Sequence, residues 1–139
     1  MDIAPLAFHT ALLLCTTYGC INGGRTGVAG SAIFVGASAL TTVATRIYPH
    51  WAGATLGLFA IDCLCLLALI LLALTSDRYW PIWASGFQIV AVATHLAMLT
   101  IPDILPKSFQ ALLSIWAVPM LLVMVIGTHR DRQFMRSKV

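Results

Sequence analysis

Charged side chains are scarce in this sequence. Asp, Glu, Lys and Arg make up 9% of its 139 residues, against about 25% in a typical soluble domain. Hydrophobic residues are 60% and mean hydropathy is +0.92. That balance excludes an ordinary soluble globule and places the chain in the membrane class. The net charge of +3 sits mostly in the last ten residues. The basic groups form no extended patch with aromatics, so no nucleic-acid partner is expected. The start of the chain lacks a basic region, because Asp2 is the only charge before Arg25. A cleavable signal peptide normally needs one, so the first apolar stretch reads as a retained helix.

Other chemistry is missing too. The four cysteines, Cys15, Cys20, Cys63 and Cys65, fall inside apolar runs. Their spacing fits neither a zinc site nor a secreted disulfide framework, so they read as small buried apolar residues. There is no nucleophile–base motif, no H-E-x-x-H and no glycine-rich phosphate loop opening a helix. The chain is not expected to be an enzyme.

What the sequence does have is long apolar runs. An all-α bundle of five transmembrane spans is predicted, at about 4–22, 26–47, 52–76, 80–101 and 108–128. Each is long enough to cross a bilayer, which takes about 20 residues. A four-span chain, with one hairpin left out of the membrane, is the alternative. Asn22-Gly23-Gly24-Arg25 is a tight glycine turn. In the second span Gly27, Ser31, Ser38, Thr42 and Thr45 share one face. Small faces let membrane helices approach closely, so this helix is expected to be the most enclosed. Gly53-x-x-x-Gly57 opens the third span with a weaker signal of the same kind. Tyr48-Pro49-His50-Trp51 and Tyr79-Trp80-Pro81-Ile82-Trp83 read as aromatic belts at the headgroups. Pro102-Asp103 and Pro106-Lys107 bracket a short loop, and Pro119 should kink the fifth span. Residues 129–139 read as a short basic tail.

Five spans put the termini on opposite sides. Arg25, Arg78, Arg130, Arg132, Arg136 and Lys138 then fall on one side, and Arg46 and Lys107 on the other. The positive-inside rule places the N-terminus outside and the C-terminus in the cytoplasm.

The hairpin 52–101 carries the chemistry. Its third span holds Asp62 in an apolar run, and its fourth holds Gln88 and His95 on one face. An ionisable group at membrane depth is costly and takes a partner. At about 1.5 Å per residue, Asp62 lies roughly 15 Å from the outer helix end, His95 roughly 9 Å, His9 roughly 8 Å and Gln88 roughly 20 Å. Counted up from the turn, the Asp62–His95 offset is about 3 Å and the Asp62–Gln88 offset about 7.5 Å, which favours His95 as the partner.

Three roles fit these residues. The first is structural: the cluster fixes helix register, at about 0.6 kcal/mol per intramembrane contact. The second is a proton or small-solute path through Asp62, His95 and a string of Ser and Thr groups. The third is a haem held by His9 and His95, which share a depth on separate helices.

The stretch Ala60–Leu74, followed by Ser76-Asp77-Arg78-Tyr79-Trp80-Pro81-Ile82-Trp83-Ala84-Ser85-Gly86-Phe87-Gln88 and ending at Thr94-His95-Leu96, resembles a family of small uncharacterised bacterial inner-membrane proteins. The resemblance spans about residues 56–128. It implies a multi-spanning bacterial inner-membrane protein and carries no activity or site residues with it. With almost no mass outside the bilayer, the chain is expected to be an accessory or structural subunit of a larger membrane complex, or a homo-oligomer. A small proton-linked channel or transporter is the alternative. The partners expected are the lipid bilayer and other membrane proteins or the chain itself.

Overall fold

A computed structural model describes residues 3–47, 51–100 and 106–137. They form five helices: α1 (Ile3–Asn22), α2 (Gly24–Ile47), α3 (Trp51–Thr75), α4 (Trp80–Thr100) and α5 (Pro106–Arg136). There is no strand among the described residues. Among the described residues three helices are long and apolar enough to cross a membrane: α2, α3 over Leu56–Thr75, and α4. Tyr48, Pro49, His50, Pro102 and Asp103 lie outside the described residues, and so do the surroundings of Trp51, Gly53 and Lys107.

Each helix packs against its neighbours in sequence, and α5 closes the ring against α1. One end of the ring gathers both tight turns and the end of α5. There Tyr18 Oη lies 3.0 Å from His129 Nδ1, Arg132 donates to Asn22, and Arg78 pairs with Asp131 at 3.2 Å. This is called the turn end below.

The α1–α2 turn is as short as a reversal can be. Only Gly23 separates the two helices, and Gly24 takes the left-handed backbone, φ +57°, that side chains disfavour. Helix-like bonds run through it, Gly23 N–H to Gly19 O at 2.8 Å and Gly27 N–H to Gly23 O at 3.0 Å. The two backbones therefore touch. A Cβ on Gly27 would sit 2.3 Å from the Gly19 carbonyl oxygen.

The core lies toward the turn end. Leu12, Phe34, Cys65, Leu69, Trp80, Ala84, Met120, Leu121 and Met124 form one buried cluster to which all five helices contribute. Trp80 is its wedge. The indole fills sockets left by two glycines, since a Cβ on Gly30 would lie 2.3 Å from Trp80 Cη2 and one on Gly127 2.3 Å from Trp80 Cβ. Against lipid there is no hydrophobic drive between helices, so such close van der Waals fits hold them together. Leucines and isoleucines such as Leu13, Leu14, Leu64, Leu67, Leu71 and Leu74 stay exposed on the outside of the bundle.

Several expectations change. Trp80 is 3% exposed and belongs to the core rather than to a headgroup belt, whereas Tyr79 and Trp83 are exposed as a belt requires. The α4 helix, not α2, is the most enclosed of the three span-length helices. On α2 Gly27, Gly30, Ser31 and Phe34 are buried, while Ser38 and Thr42 are half-buried and Thr45 is exposed. The small face works only near the glycine turn, where α1 lies against it. A Cβ on Gly57 would meet nothing within 4 Å, so that motif makes no close approach there. Of the cysteines only Cys65 is buried; Cys15 and Cys63 are half-buried and Cys20 is exposed. The α5 helix runs through Pro119 and continues past Thr128 to Arg136, so most of the basic tail is helical.

Candidate functional site

Asp62, Gln88 and His95 meet in the α3–α4 hairpin. The turn Ser76–Tyr79 is too short for anything but antiparallel neighbours, and it sets the register that faces Asp62 toward α4. Gln88 and His95 lie on the same face of α4 as the buried Ala84 and Ala91. That face is turned inward along most of the helix, so both polar side chains are carried into the interior.

The geometry engages both oxygens of one carboxylate. Gln88 Nε2 donates to Asp62 Oδ1 at 3.0 Å and also reaches the Asp62 backbone carbonyl at 3.2 Å. His95 Nδ1 lies 2.6 Å from Asp62 Oδ2. By its geometry this contact is a close approach of ring nitrogen to carboxylate oxygen and not a directed hydrogen bond. Gln88 is 2% exposed and His95 5%. The Asp62 side chain keeps 23% of its surface exposed.

Residue counting pointed to His95 and placed Gln88 more than a turn away. Both reach Asp62, because the long Gln88 amide spans the gap. His95 Nε2, on the other side of the ring, is buried and has no hydrogen-bond partner among the described residues.

His9 stands apart from this cluster. It is exposed on α1, with its ring edge-on to Phe8 at 5.5 Å between centroids. The structure brings His95 to Asp62 and not to His9. Among the described residues no group of three or more His, Cys, Asp or Glu side chains is placed to hold a metal ion.

The hydroxyls considered for a relay are turned to another task. Thr10, Thr16, Thr42, Thr45, Thr75, Ser85, Thr94 and Thr100 all donate to a carbonyl one turn back in their own helix. This is how a hydroxyl is satisfied inside an apolar bundle. Ser31 differs: its Oγ donates across to the Thr16 carbonyl at 3.0 Å and ties α2 to α1. The buried Thr128 hydroxyl has no partner.

The polar cluster at the turn end, Tyr18, Asn22, His129, Arg132 and Gln133, was not singled out from the sequence. Its only trace there was the run of polar residues after Gly127, which read as a solvated tail.

No protein-family pattern matches the chain, and neither a curated protein nor a solved structure shows detectable similarity to it.

Proposed function

We propose that this chain is a five-span protein of the bacterial inner membrane that serves as an accessory or structural subunit of a larger membrane complex, or as a homo-oligomer. In this reading α1 and α5 cross the bilayer beside the three span-length helices. The turn end, with Arg25, Arg78, Arg130 and Arg132, faces the cytoplasm under the positive-inside rule. Arg46, at the other end of α2, faces outward. The bacterial inner membrane comes from the resemblance of residues 56–128.

The observation that carries the reading is the engagement of both Asp62 oxygens within one hairpin. An Asp at the centre of a span costs about 2.5–3.5 kcal/mol on insertion scales. Here its polar partners come from the neighbouring helix, so the cluster sets which faces of α3 and α4 meet. Leu69, Trp80 and Met124 fill the bundle toward the turn end. Hydroxyls bonded to their own helices add no relay through it.

Gentle detergent extraction followed by identification of what comes with the chain tests this. Other membrane proteins, or multiples of the 15.0 kDa chain, are expected in the purified particle. A lone monomer that is fully folded overturns the subunit reading. A cytoplasm-specific reporter enzyme fused after Val139 should be active, and an inactive but well-expressed fusion reverses the orientation.

One observation favours a second reading, a small proton-linked channel or transporter using Asp62 and His95. The imidazole presents a buried, unpartnered Nε2 on the side away from a partly exposed carboxylate. A proton taken up at Asp62 has a second site within reach. Proton flux into liposomes holding the chain alone, abolished by Asp62→Asn with the fold intact, supports this reading, and absence of flux removes it. A visible spectrum of the same sample tests for haem on His9 and His95; a colourless protein removes that assignment.

A further inference from the structure

The turn end holds a groove between α1 and α5 that neither reading uses. It has a volume of about 170 Å³ and is lined by Tyr18, His129, Arg132 and Gln133. A water's share of the liquid is about 30 Å³, so the groove has room for a small polar headgroup.

The groove's own surface is mainly apolar, and the polar atoms of its lining side chains meet one another around His129. Tyr18 Oη lies 3.0 Å from His129 Nδ1, and Gln133 Nε2 lies 3.0 Å from His129 Nε2. If His129 carries its proton on Nδ1, it donates to Tyr18 and accepts from Gln133. The Tyr18 hydroxyl hydrogen is then unused. If the proton is on Nε2, Tyr18 donates to Nδ1 and the Gln133 amide turns over so that its Oε1 accepts from the ring. The Gln133 amide hydrogens are then unused. In either tautomer the Tyr18–His129–Gln133 cluster keeps at least one neutral donor.

Arg132 adds a charge. It donates to Asn22 through one nitrogen, and its other guanidinium donors remain for a ligand. The described residues at this end carry five arginines, Arg25, Arg78, Arg130, Arg132 and Arg136, against two aspartates, Asp77 and Asp131. Asp131 is held by Arg78. The groove itself has no carboxylate lining.

An apolar track leads away from it. Leu122 and Ile126 share a face of α5 with His129 and Gln133, and Leu14 shares a face of α1 with Tyr18. All three apolar residues are exposed. Donors at the mouth, a positive field and an apolar seam of two helices below match one kind of molecule. Basic pockets between spans on the cytoplasmic side suit anionic headgroups.

We infer that this groove is a binding site for an anionic phospholipid: Arg132, Tyr18 and Gln133 hold its phosphate, and its acyl chain lies along Leu14, Leu122 and Ile126. The inference rests on membrane insertion with the turn end in the cytoplasm.

The test uses the full chain in mild detergent. Its unfolding temperature is followed while dioleoyl phosphatidylglycerol, dioleoyl phosphatidylcholine or inorganic phosphate is added. Phosphatidylglycerol should raise it well above the effect of phosphatidylcholine, and inorganic phosphate should leave it unchanged. Arg132→Gln should weaken the preference for phosphatidylglycerol about five-fold, the weight of one basic side chain at a membrane surface. Arg46→Gln, at the other end, should leave it intact. Because Arg132→Gln also removes the bond to Asn22, Gln133→Leu serves as a second variant that spares it, and it too should weaken the preference.

Equal response to the two lipids, or equal loss in Arg132→Gln and Arg46→Gln, overturns the site. A shift with inorganic phosphate as large as that with phosphatidylglycerol makes it a site for free anions, which also overturns it. A chain that leaves the membrane fraction without detergent refutes the membrane reading instead, and so the two failures are distinct.

Discussion

The two halves of the bundle are held in different ways. Toward the turn end, shape holds it: Trp80 sits in the sockets of Gly30 and Gly127, and Gly27 lies against the Gly19 backbone. Toward the other end, chemistry holds it. Buried apolar side chains give way to Gln88, Ala91 and His95 on α4, and α2 has no described buried residue beyond Phe34. A shape-based contact fails when an atom is added or a wedge removed. A chemical contact fails when one partner is orphaned. The halves should therefore respond to opposite kinds of substitution.

Removing the wedge should have the largest effect. Trp80→Ala empties sockets on α2 and α5 together and should cost about 3–5 kcal/mol, the range for large core aromatics. Trp83→Ala, at an exposed position three residues on, should change stability by less than about 0.5 kcal/mol. Thermal unfolding in one detergent compares them. Similar losses in both variants would return Trp80 to a headgroup belt.

Adding a methyl group comes next. In Gly27→Ala the new Cβ lies 2.3 Å from a backbone oxygen that belongs to a second helix. The overpacking should cost about 1–3 kcal/mol. Gly57→Ala puts the same group into open space. It should be neutral or gain up to about 1 kcal/mol in helix propensity. Equal effects at the two glycines would erase the contrast between the halves.

The polar half should respond to orphaning. Asp62→Leu strands the buried His95 and should cost about 1–3 kcal/mol, and adding His95→Leu should recover part of that loss. Asp62→Asn keeps an acceptor for Gln88 and should cost less than about 1 kcal/mol. A double variant no better than Asp62→Leu would show that the two side chains are not coupled.

The contrast also explains what could be read in advance. The polar cluster was legible because a single charge in an apolar run demands a partner, and a short turn dictates where to look. Helix positions were legible for the same reason that the helices exist, since glycine, proline and polar turns interrupt otherwise apolar runs. Trp80 was not. Tyr79-Trp80-Pro81 reads as an aromatic run at a helix start, and its place on the face of Ala84, Gln88, Ala91 and His95 was not used. A second signal lay in Gly30 and Gly127, glycines with no turn to make. The end of α5 was missed because charges end a hydropathic run without ending a helix. Its last turns are tied through His129, Asp131 and Arg132 to Tyr18, Arg78 and Asn22, and no local pattern announces such partners.

The Trp80 socket also orders the making of the molecule. One wall is on α2 and the other on α5, and α5 leaves the ribosome after the other four helices. Until Gly127 arrives, the indole has only half its seat, and α1 lacks the neighbour that closes the ring. Without α5 the ring is open between α1 and α4. A chain cut short before Gly127 lacks one wall of the seat that Trp80 fills.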